Sequence, residues 1–287
     1  MRRLAAIAAL LVLAAPALAA DESLRVSFHP VRLQVGQVGW LHVRGAPDRA
    51  GLEGLVAGQT LGFFPHAGGH VALVAIDIET PAGTHPWSVT FRADGAEPRI
   101  LRGTVAVLGR EFSVQRLTLP PAMVDLDPET ERRAVDESGR LRTLYRTISS
   151  ERLWRGRFQR PVAGTEPGTG FGSRRIINGQ PRMPHSGIDY AAPRGTPVVA
   201  ANAGRVALVA DFFFPGRLVV IDHGLGLYTL YFHLDTTGVE EGALVERGQP
   251  IGTIGTTGRS TGPHLHFGAQ VGSARIDPAA LLALELE

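Results

Sequence analysis

The fold of this 287-residue chain is decided near its C-terminus by the stretch Gly262-Pro263-His264-Leu265-His266-Phe267-Gly268-Ala269-Gln270-Val271. We predict a strand over residues 264–271. Alternate residues of a strand point to the same face, so His264 and His266 project together while Leu265 points to the other face. Their Cα atoms are about 7 Å apart, given a rise of about 3.3 Å per residue. One of these histidines can bind a metal while the other lines the same cavity.

Three further strands are predicted upstream, over residues 205–210, 218–222 and 227–234, with turns at Pro215-Gly216 and His223-Gly224. Strands at this spacing predict an antiparallel β domain over residues 157–287. His233 lies between the apolar Phe232 and Leu234, so alternation is expected to turn its side chain away from both neighbours. A structural role is expected for His223, which precedes a glycine in a tight turn.

A second group of polar residues occurs in His185-Ser186-Gly187-Ile188-Asp189. On a straight strand the Cα atoms of His185 and Asp189 would be about 13 Å apart, whereas two ligands of one zinc ion lie within about 4 Å of each other. The two residues can share a metal only if the chain bends between them, and Gly187 is expected to permit that bend. Two histidines and a carboxylate match an open catalytic zinc site; the alternative is a set of ordinary packed or hydrogen-bonded side chains.

Residues 21–122 are predicted to form a β-sandwich-like domain. Apolar and polar residues alternate in Trp87-Ser88-Val89-Thr90-Phe91, and turn-forming breaks such as Pro81-Ala82-Gly83 separate the apolar runs. The segment His66-Ala67-Gly68-Gly69-His70 has two histidines at a metal-like spacing, but its glycines favour a loop. The fold class is therefore mainly β.

Residues 123–156 are predicted to be a short helical connector. Asp127-Pro128-Glu129 has the order of an N-cap, a first-turn proline and an acidic residue. An apolar stripe at helical spacing indicates that one side of the helix is packed. Gly139 is expected to interrupt or end a first helical piece. The members of the stripe are Leu141, Leu144, Tyr145 and Ile148.

Residues 1–20 read as a signal peptide, with Arg2 and Arg3, an apolar run over 4–13 and the small-residue pattern Ala17-Leu18-Ala19. The alternative is an uncleaved N-terminal anchor, but the apolar run is shorter than the roughly 20 residues of a transmembrane helix. The whole chain has a formal charge of +2. Without the two arginines the remainder is near neutral, so no nucleic-acid partner is expected.

Cysteine is absent, which excludes disulfides and thiolate metal sites, so any metal must be held by histidine and carboxylate. Residues 158–282 resemble the lysostaphin/LytM-type family of zinc peptidoglycan metallopeptidases. The motifs that carry the resemblance are Phe171-Gly172, Asn178-Gly179, His185-Ser186-Gly187-Ile188-Asp189-Tyr190, Ala192-Pro193, Gly195-Thr196-Pro197-Val198, Gly204, Asp222-His223-Gly224, Tyr231-Phe232-His233-Leu234, Arg247-Gly248-Gln249, Ile251-Gly252, Gly258, Thr261-Gly262-Pro263-His264-Leu265-His266-Phe267 and Asp277-Pro278.

The resemblance implies that His185, Asp189 and His266 bind one zinc ion and that His233 and His264 are catalytic. It implies that residues 157–287 are a catalytic domain whose substrate is the peptide of peptidoglycan. Because the chain has no His-Glu-x-x-His motif, the two catalytic histidines must supply the base, and the sequence leaves open which one does so.

The signal peptide predicts an extracytoplasmic address, periplasmic or secreted, and no stable membrane span after signal cleavage. Degenerate members of the family act as non-catalytic regulators of other wall hydrolases, and a different zinc hydrolase is a further alternative. In some members an upstream asparagine holds the zinc at rest, for which Asn178 is the nearby candidate. Arg259 and Ser260 are expected beside the cleft, where they could touch substrate.

Overall fold

The structure is a computed structural model that describes residues 24–46, 51–92, 97–121, 124–149, 151–168 and 170–285. The predicted signal peptide lies outside these residues. The described residues are mainly β-strands, as the sequence predicts, and include two α-helices. Neither helix is long and apolar enough to cross a membrane.

The N-terminal part is a sandwich of two sheets. Its strands are β1 (Arg25–His29), β2 (Leu33–Gln34), β3 (Val38–Arg44), β4 (Gly51–Val56), β5 (Gln59–Leu61), β6 (Phe63–His66), β7 (Gly69–Ala75), β8 (Gly83–Arg92) and β9 (Arg99–Leu108). One sheet has the order β1-β3-β7-β6 and the other β2-β9-β8-β4-β5. Apolar residues from both sheets, such as Leu41, Val74, Val89 and Val105, form the core between them. The residues Ala67 and Gly68 form the turn between β6 and β7, as the glycines indicated.

Strand β7, in the first sheet of the sandwich, is buried on both faces. Every residue of β7 is buried, because Ala72 and Val74 face the sandwich core while Val71 and Leu73 pack against the C-terminal part of the chain. Ion pairs add to this contact: the Arg275 guanidinium binds the Asp77 carboxylate at 2.7 Å and 2.9 Å. The N-terminal sandwich therefore supports the C-terminal sheet from behind.

Helix α1 (Pro128–Tyr145) begins at Asp127, whose Oδ1 accepts hydrogen bonds from the backbone N–H groups of Glu129 and Thr130. The expectation that Gly139 interrupts the helix is wrong, because α1 runs through it without a break. A glycine in a helix costs only about 1 kcal/mol relative to alanine, and the packing of the apolar stripe offsets this cost. Tyr145 is buried against the C-terminal sheet.

The C-terminal part is built on a nine-stranded sheet. Its elements are β13 (Gly187–Ala191), β14 (Pro197–Val199), β15 (Gly204–Phe212), β16 (Gly216–Gly224), β17 (Leu227–Thr237), β18 (Leu244–Val245), β19 (Pro250–Ile254), β20 (His264–Val271), β21 (Ala274–Ile276) and helix α2 (Pro278–Leu282). Its main path has the order β13-β20-β17-β16-β15-β18, and all of these pairs are antiparallel. The predicted strands over 205–210, 218–222, 227–234 and 264–271 are all present.

The two faces of this sheet have different neighbours. Leu265 and Phe267 point to the core shared with the sandwich, whereas Val220 and Leu230 point to the side that α1 covers. A small third sheet lies beside it, with β10 (Val114–Leu117) parallel to β11 (Arg174–Ile177) and β12 (Gln180–Pro181) antiparallel to β11. Because Leu265 faces the core, His264 and His266 lie on the same side of the sheet as α1.

Candidate active site

Three side chains converge on one point above the sheet. His185 Nε2 lies 2.8 Å from His266 Nδ1, and Asp189 Oδ1 lies 3.1 Å from each of these nitrogens. His264 Nε2 is 4.0 Å from the same carboxylate oxygen. His185 and His266 are buried, and Asp189 is partly exposed. The β-sheet thus closes one side of the site, and the site is open to solvent on the side of the partly exposed Asp189 carboxylate.

Sheet register explains part of this geometry. Asp189 on β13 is the direct partner of His266 on β20, and residues that pair directly share a face of the sheet. His264, two residues before His266, projects to the same side, as the alternation predicts. The position of three of the polar groups therefore follows from one antiparallel pair of strands.

Gly187 has a different role from the one expected. It has no left-handed backbone conformation, because its φ is not among the positive ones. A Cβ at this position would instead lie 2.4 Å from the Phe267 carbonyl oxygen and 2.7 Å from the His266 ring. Glycine is needed here for close approach of the two strands, and His185 reaches Asp189 from the segment just before β13 begins.

Backbone carbonyls fix the orientation of the histidine rings. His185 Nδ1 donates to the Gly170 carbonyl at 3.0 Å, which directs its Nε2 at Asp189 and His266. His233 Nδ1 donates to the Thr257 carbonyl and His264 Nδ1 donates to the Gly262 carbonyl, each at 2.8 Å. The Nε2 atoms of His233 and His264 are therefore left free to accept a proton.

The expected alternation around His233 is wrong on one side. Leu234 does point away, into the core, but the Phe232 ring stacks on His266 at 5.3 Å while the His233 ring lies 6.2 Å from it. The pairing of β16 with β17 shifts register here, and His233 has a φ of 64°. This β-bulge turns two successive side chains to the same face. A left-handed conformation at a non-glycine residue is strained, and it is held here by the Thr257 hydrogen bond.

Burial and neighbouring charges set the protonation of the site. Burial, together with the nearby His266 and His264, lowers the pKa of His233 to about 3. Burial lowers the pKa of His266 to about 4, although its hydrogen bond with Asp189 opposes this. Burial alone would raise the pKa of Asp189, but hydrogen bonds with His185 and His266 hold it well below its usual range. At neutral pH Asp189 is charged and the rings of His233 and His266 are neutral.

The donor set fits a metal ion. Zinc ligands at 2.0–2.1 Å in a tetrahedron are about 3.3 Å apart, and the observed separations of 2.8–3.1 Å are slightly shorter. Neutral imidazoles and an ionised carboxylate are the forms that bind metal. Within the described part of the chain, His185, Asp189 and His266 form the group of His, Asp or Glu side chains that can hold such an ion.

Other predicted residues lie elsewhere or serve the site indirectly. The Asn178 amide bonds the backbone of Leu119 through both of its polar atoms, each at 3.0 Å, and so is engaged away from the metal group. His223 is buried, and its ring bonds the Ala203 carbonyl and the Thr229 hydroxyl, each at 2.7 Å, in keeping with a structural role. Ser260 Oγ lies 3.3 Å from His264 Nδ1.

Sequence reasoning missed the groups that orient the histidines. The carbonyls of Gly170, Thr257 and Gly262 have no side-chain signal, because any residue offers a backbone carbonyl. It also missed that the cleft next to the site, of about 650 Å³, is bordered by α1. The apolar stripe of the helix indicated only that one of its sides is packed.

The similarity of the chain to known proteins is concentrated in its C-terminal part, which holds the candidate site. Residues 183–278 match Peptidase family M23. The peptidoglycan DD-endopeptidase ShyB of Vibrio cholerae is 44% identical over 95 residues, which are 33% of this chain and 22% of ShyB. The peptidoglycan DD-endopeptidase ShyC of the same organism is 30% identical over 215 residues, 71% of this chain and 47% of ShyC. The chain thus spans less than half the length of these curated relatives.

A crystal structure of an M23 peptidase from Pseudomonas aeruginosa is similar across nearly the whole molecule. It aligns with a TM-score of 0.68 at 28% identity and covers 88% of this chain and 95% of its own. The likeness therefore includes the N-terminal sandwich as well as the domain that holds the histidines. Residues 183–278 of this chain are therefore a domain of peptidase family M23.

Proposed function

We propose that this chain is a zinc-dependent endopeptidase that hydrolyses peptide bonds in the stems or cross-links of bacterial peptidoglycan. One observation carries the proposal: His185, Asp189 and His266 converge within hydrogen-bond distance, and His233 and His264 stand beside them on the same face. The first three are the proposed zinc ligands and the other two the proposed catalytic histidines.

The relatives support the choice of substrate. ShyB and ShyC are named as peptidoglycan DD-endopeptidases, and the Mpg protein of Neisseria meningitidis, 44% identical over 97 residues, as a DD-carboxypeptidase/endopeptidase. Because peptidoglycan lies outside the cytoplasmic membrane, the proposed function includes an extracytoplasmic location. The signal-peptide pattern of residues 1–20 agrees with it.

His185, Asp189 and His266 would hold zinc through Nε2, Oδ1 and Nδ1. Zinc supplies a Lewis acid there, which polarises the scissile carbonyl and lowers the pKa of water. The Asp189 charge is already in place at neutral pH, because its hydrogen bonds with the two histidines keep its pKa low. The stacked Phe232 ring holds His266 in its orientation.

His233 and His264 would manage the proton. Each has its Nδ1–H anchored on a carbonyl and its Nε2 free. One of them accepts the proton of the attacking water and passes it to the leaving amine. The other stands 4.7 Å away, ring to ring, where it can hydrogen-bond the oxygen on which negative charge develops.

The alternative of a non-catalytic wall-binding regulator is not favoured. A regulator needs neither the ligand set nor the paired histidines, yet all five side chains are retained and oriented. A docking surface would not need three histidine rings to be oriented by hydrogen bonds to backbone carbonyls.

The test compares zinc content and release of soluble peptides from purified peptidoglycan for four proteins. We expect about one zinc per chain and peptide release for the wild type, loss of zinc for His266→Ala, and retained zinc without release for His264→Ala. His85→Ala is the matched control, since His85 bonds a local carbonyl on the sandwich, away from the site. A wild type that binds zinc and releases nothing from several wall types would overturn the proposal.

A further inference from the structure

We propose that Arg182 and Arg259 form a carboxylate-binding subsite beside the metal site, in a cleft that the connector helix completes. This inference deepens the proposed function and rests on it: the ligand is a free carboxylate of the peptide substrate, next to the bond that is cut. Both arginines line the cleft of about 650 Å³.

The cleft adjoins the metal group directly. Ser186, which follows the proposed ligand His185, lines it together with Phe214. Arg259 precedes Ser260, whose hydroxyl contacts the His264 ring. A peptide whose scissile bond lies at His264 would therefore extend its neighbouring residue into this cleft.

Most of the cleft lies outside the segment matched by the family. Residues of α1 and of the chain just before it form one wall, and Arg182 lies immediately before the segment. The members of this wall are Val124, Leu126, Glu131, Ala134, Val135, Ser138 and Arg142. The cleft is therefore a property of this chain's connector more than of the peptidase fold, and it suits a role in substrate selection.

Helix α1 is held in place over the sheet by polar contacts. Glu137 Oε2 accepts the Phe213 N–H at 2.7 Å, and the Arg133 guanidinium donates to the Asp211 carbonyl at 3.2 Å. Just beyond the end of α1, the Tyr228 hydroxyl donates to the Thr147 carbonyl at 2.7 Å. The wall that α1 gives to the cleft is thus fixed before substrate arrives, which lowers the cost of ordering it.

The two arginines retain unused hydrogen-bonding capacity. Arg182 donates to the Gln180 side chain at 2.7 Å, and the Arg259 guanidinium lies 4.3 Å above the Phe214 ring. Neither partner carries a charge, and a guanidinium has five N–H donors in a fork that matches a carboxylate. The described cleft lining holds Arg142, Arg182 and Arg259 against a single acidic residue, Glu131.

Positive charges are also held close together here. Burial lowers the pKa of Arg259, and repulsion from Arg175 and Arg182 lowers it further. Arg175 is close enough to Asp189 for that carboxylate to oppose the effect of burial on the pKa of Arg175. Like charges that repel in the free protein bind an anion between them favourably.

Peptides with a free carboxylate close to the scissile bond are the ligands that this chemistry selects. The probes are cross-linked stem-peptide dimers purified from peptidoglycan, and the same dimers with their carboxylates converted to carboxamides. The carboxamide keeps the shape of the group and removes its charge. The zinc-loaded protein is compared with Arg182→Gln, Arg259→Gln and the control Arg174→Gln, which lies beside Arg175 on β11 and lines a separate cleft between the sandwich and the C-terminal part.

We expect the wild type to cleave the carboxylate dimer with a kcat/KM at least tenfold above that of the carboxamide dimer, which is about 1.4 kcal/mol. Arg182→Gln or Arg259→Gln should remove this preference by lowering kcat/KM for the carboxylate dimer alone, and Arg174→Gln should keep it. Equal cleavage of both dimers by the wild type, or an equal loss on both in the arginine variants, overturns the subsite.

A binding experiment separates this inference from the proposed function. Titration calorimetry with both dimers uses the His264→Ala protein, alone and combined with Arg182→Gln. If the wild type cleaves neither dimer, the proposed function fails. The subsite then stands if the carboxylate dimer binds at least tenfold more tightly and Arg182→Gln abolishes the difference, and it falls if the two dimers bind alike or not at all.

Discussion

The rings of His233 and His264 lie 4.7 Å apart, centre to centre, at an angle of 52°, and each ring donates its Nδ1–H to a backbone carbonyl. His185 and His266 have the same separation and angle. The candidate site is therefore two histidine pairs with Asp189 among them. Asp189 Oδ1 lies 3.1 Å from His185 Nε2 and from His266 Nδ1, and 4.0 Å from His264 Nε2. One pair offers a ligand set and the other offers free Nε2 atoms.

Removing the ring of His233 or of His264 should abolish proton transfer and leave metal binding intact. We expect kcat to fall by roughly 10²–10⁴-fold in His264→Ala and in His233→Asn, with about one zinc per chain in both. Asparagine is chosen at position 233 because it tolerates the φ of 64° better than alanine does. Kinetics on stem-peptide dimers and metal analysis check this, and loss of zinc from either variant would contradict the assignment.

Zinc should stabilise the folded protein through Asp189. At a free zinc concentration 100-fold above Kd, binding adds about 2.7 kcal/mol to the free energy of unfolding. We expect a rise in Tm when zinc is added to the chelated wild type, and a much smaller rise for Asp189→Asn, since an amide lacks the charge of the carboxylate. Asp136→Asn, on the exposed side of α1, is the control and should respond like the wild type.

The sequence alone predicts the pairing of His264 and His266, because a period of two is a local property of any strand. It does not predict that Phe232 and His233 share a face. That depends on a register shift against β16, which is decided by long-range pairing rather than by the alternation of apolar residues. The strained φ of His233 has no signal in its residue type either.

The sequence alone does not predict that α1 borders the cleft either. Its apolar stripe predicts that one side is buried, and Leu141, Leu144 and Tyr145 do pack on the sheet. Which face of the sheet receives the helix depends on the chain path from β10 through α1 to β13, and no local pattern states it. Arg182 and Arg259, likewise, are far apart in sequence, and only the folded chain places both in the lining of one cleft.

A single methyl group at Gly187 should disrupt the metal group. The Cβ of Gly187→Ala would meet the Phe267 carbonyl oxygen at 2.4 Å and the His266 ring at 2.7 Å, so β13 and β20 must separate. We expect a loss of about 1–3 kcal/mol in the free energy of unfolding and weaker zinc binding. Urea denaturation and zinc titration measure the two effects.

Gly139→Ala is the opposite case and serves as the control. The nearest atom to its Cβ would be 3.7 Å away, on a flexible arginine side chain, and the residue is in the middle of α1. Alanine should raise the free energy of unfolding by up to about 1 kcal/mol and leave zinc affinity unchanged. If Gly187→Ala and Gly139→Ala change stability and zinc affinity alike, the close approach of β13 and β20 does not explain the glycine at position 187.

Acid should destabilise the protein through His223, which lies outside the candidate site. Burial lowers its pKa to about 4 in the folded protein, whereas an unfolded histidine has a pKa of about 6.5. Between these values the unfolded chain binds one more proton than the folded protein. The contribution of His223 to stability is therefore complete above about pH 6.5 and is lost as the pH falls towards 4. In chelator, where zinc release does not intervene, the wild type should lose about 1.4 kcal/mol more per pH unit than His223→Gln does over this window. Urea denaturation at intervals from pH 7 to 4 measures this difference, with His85→Ala expected to match the wild type. Parallel curves for wild type and His223→Gln would show that His223 is not held neutral by the fold.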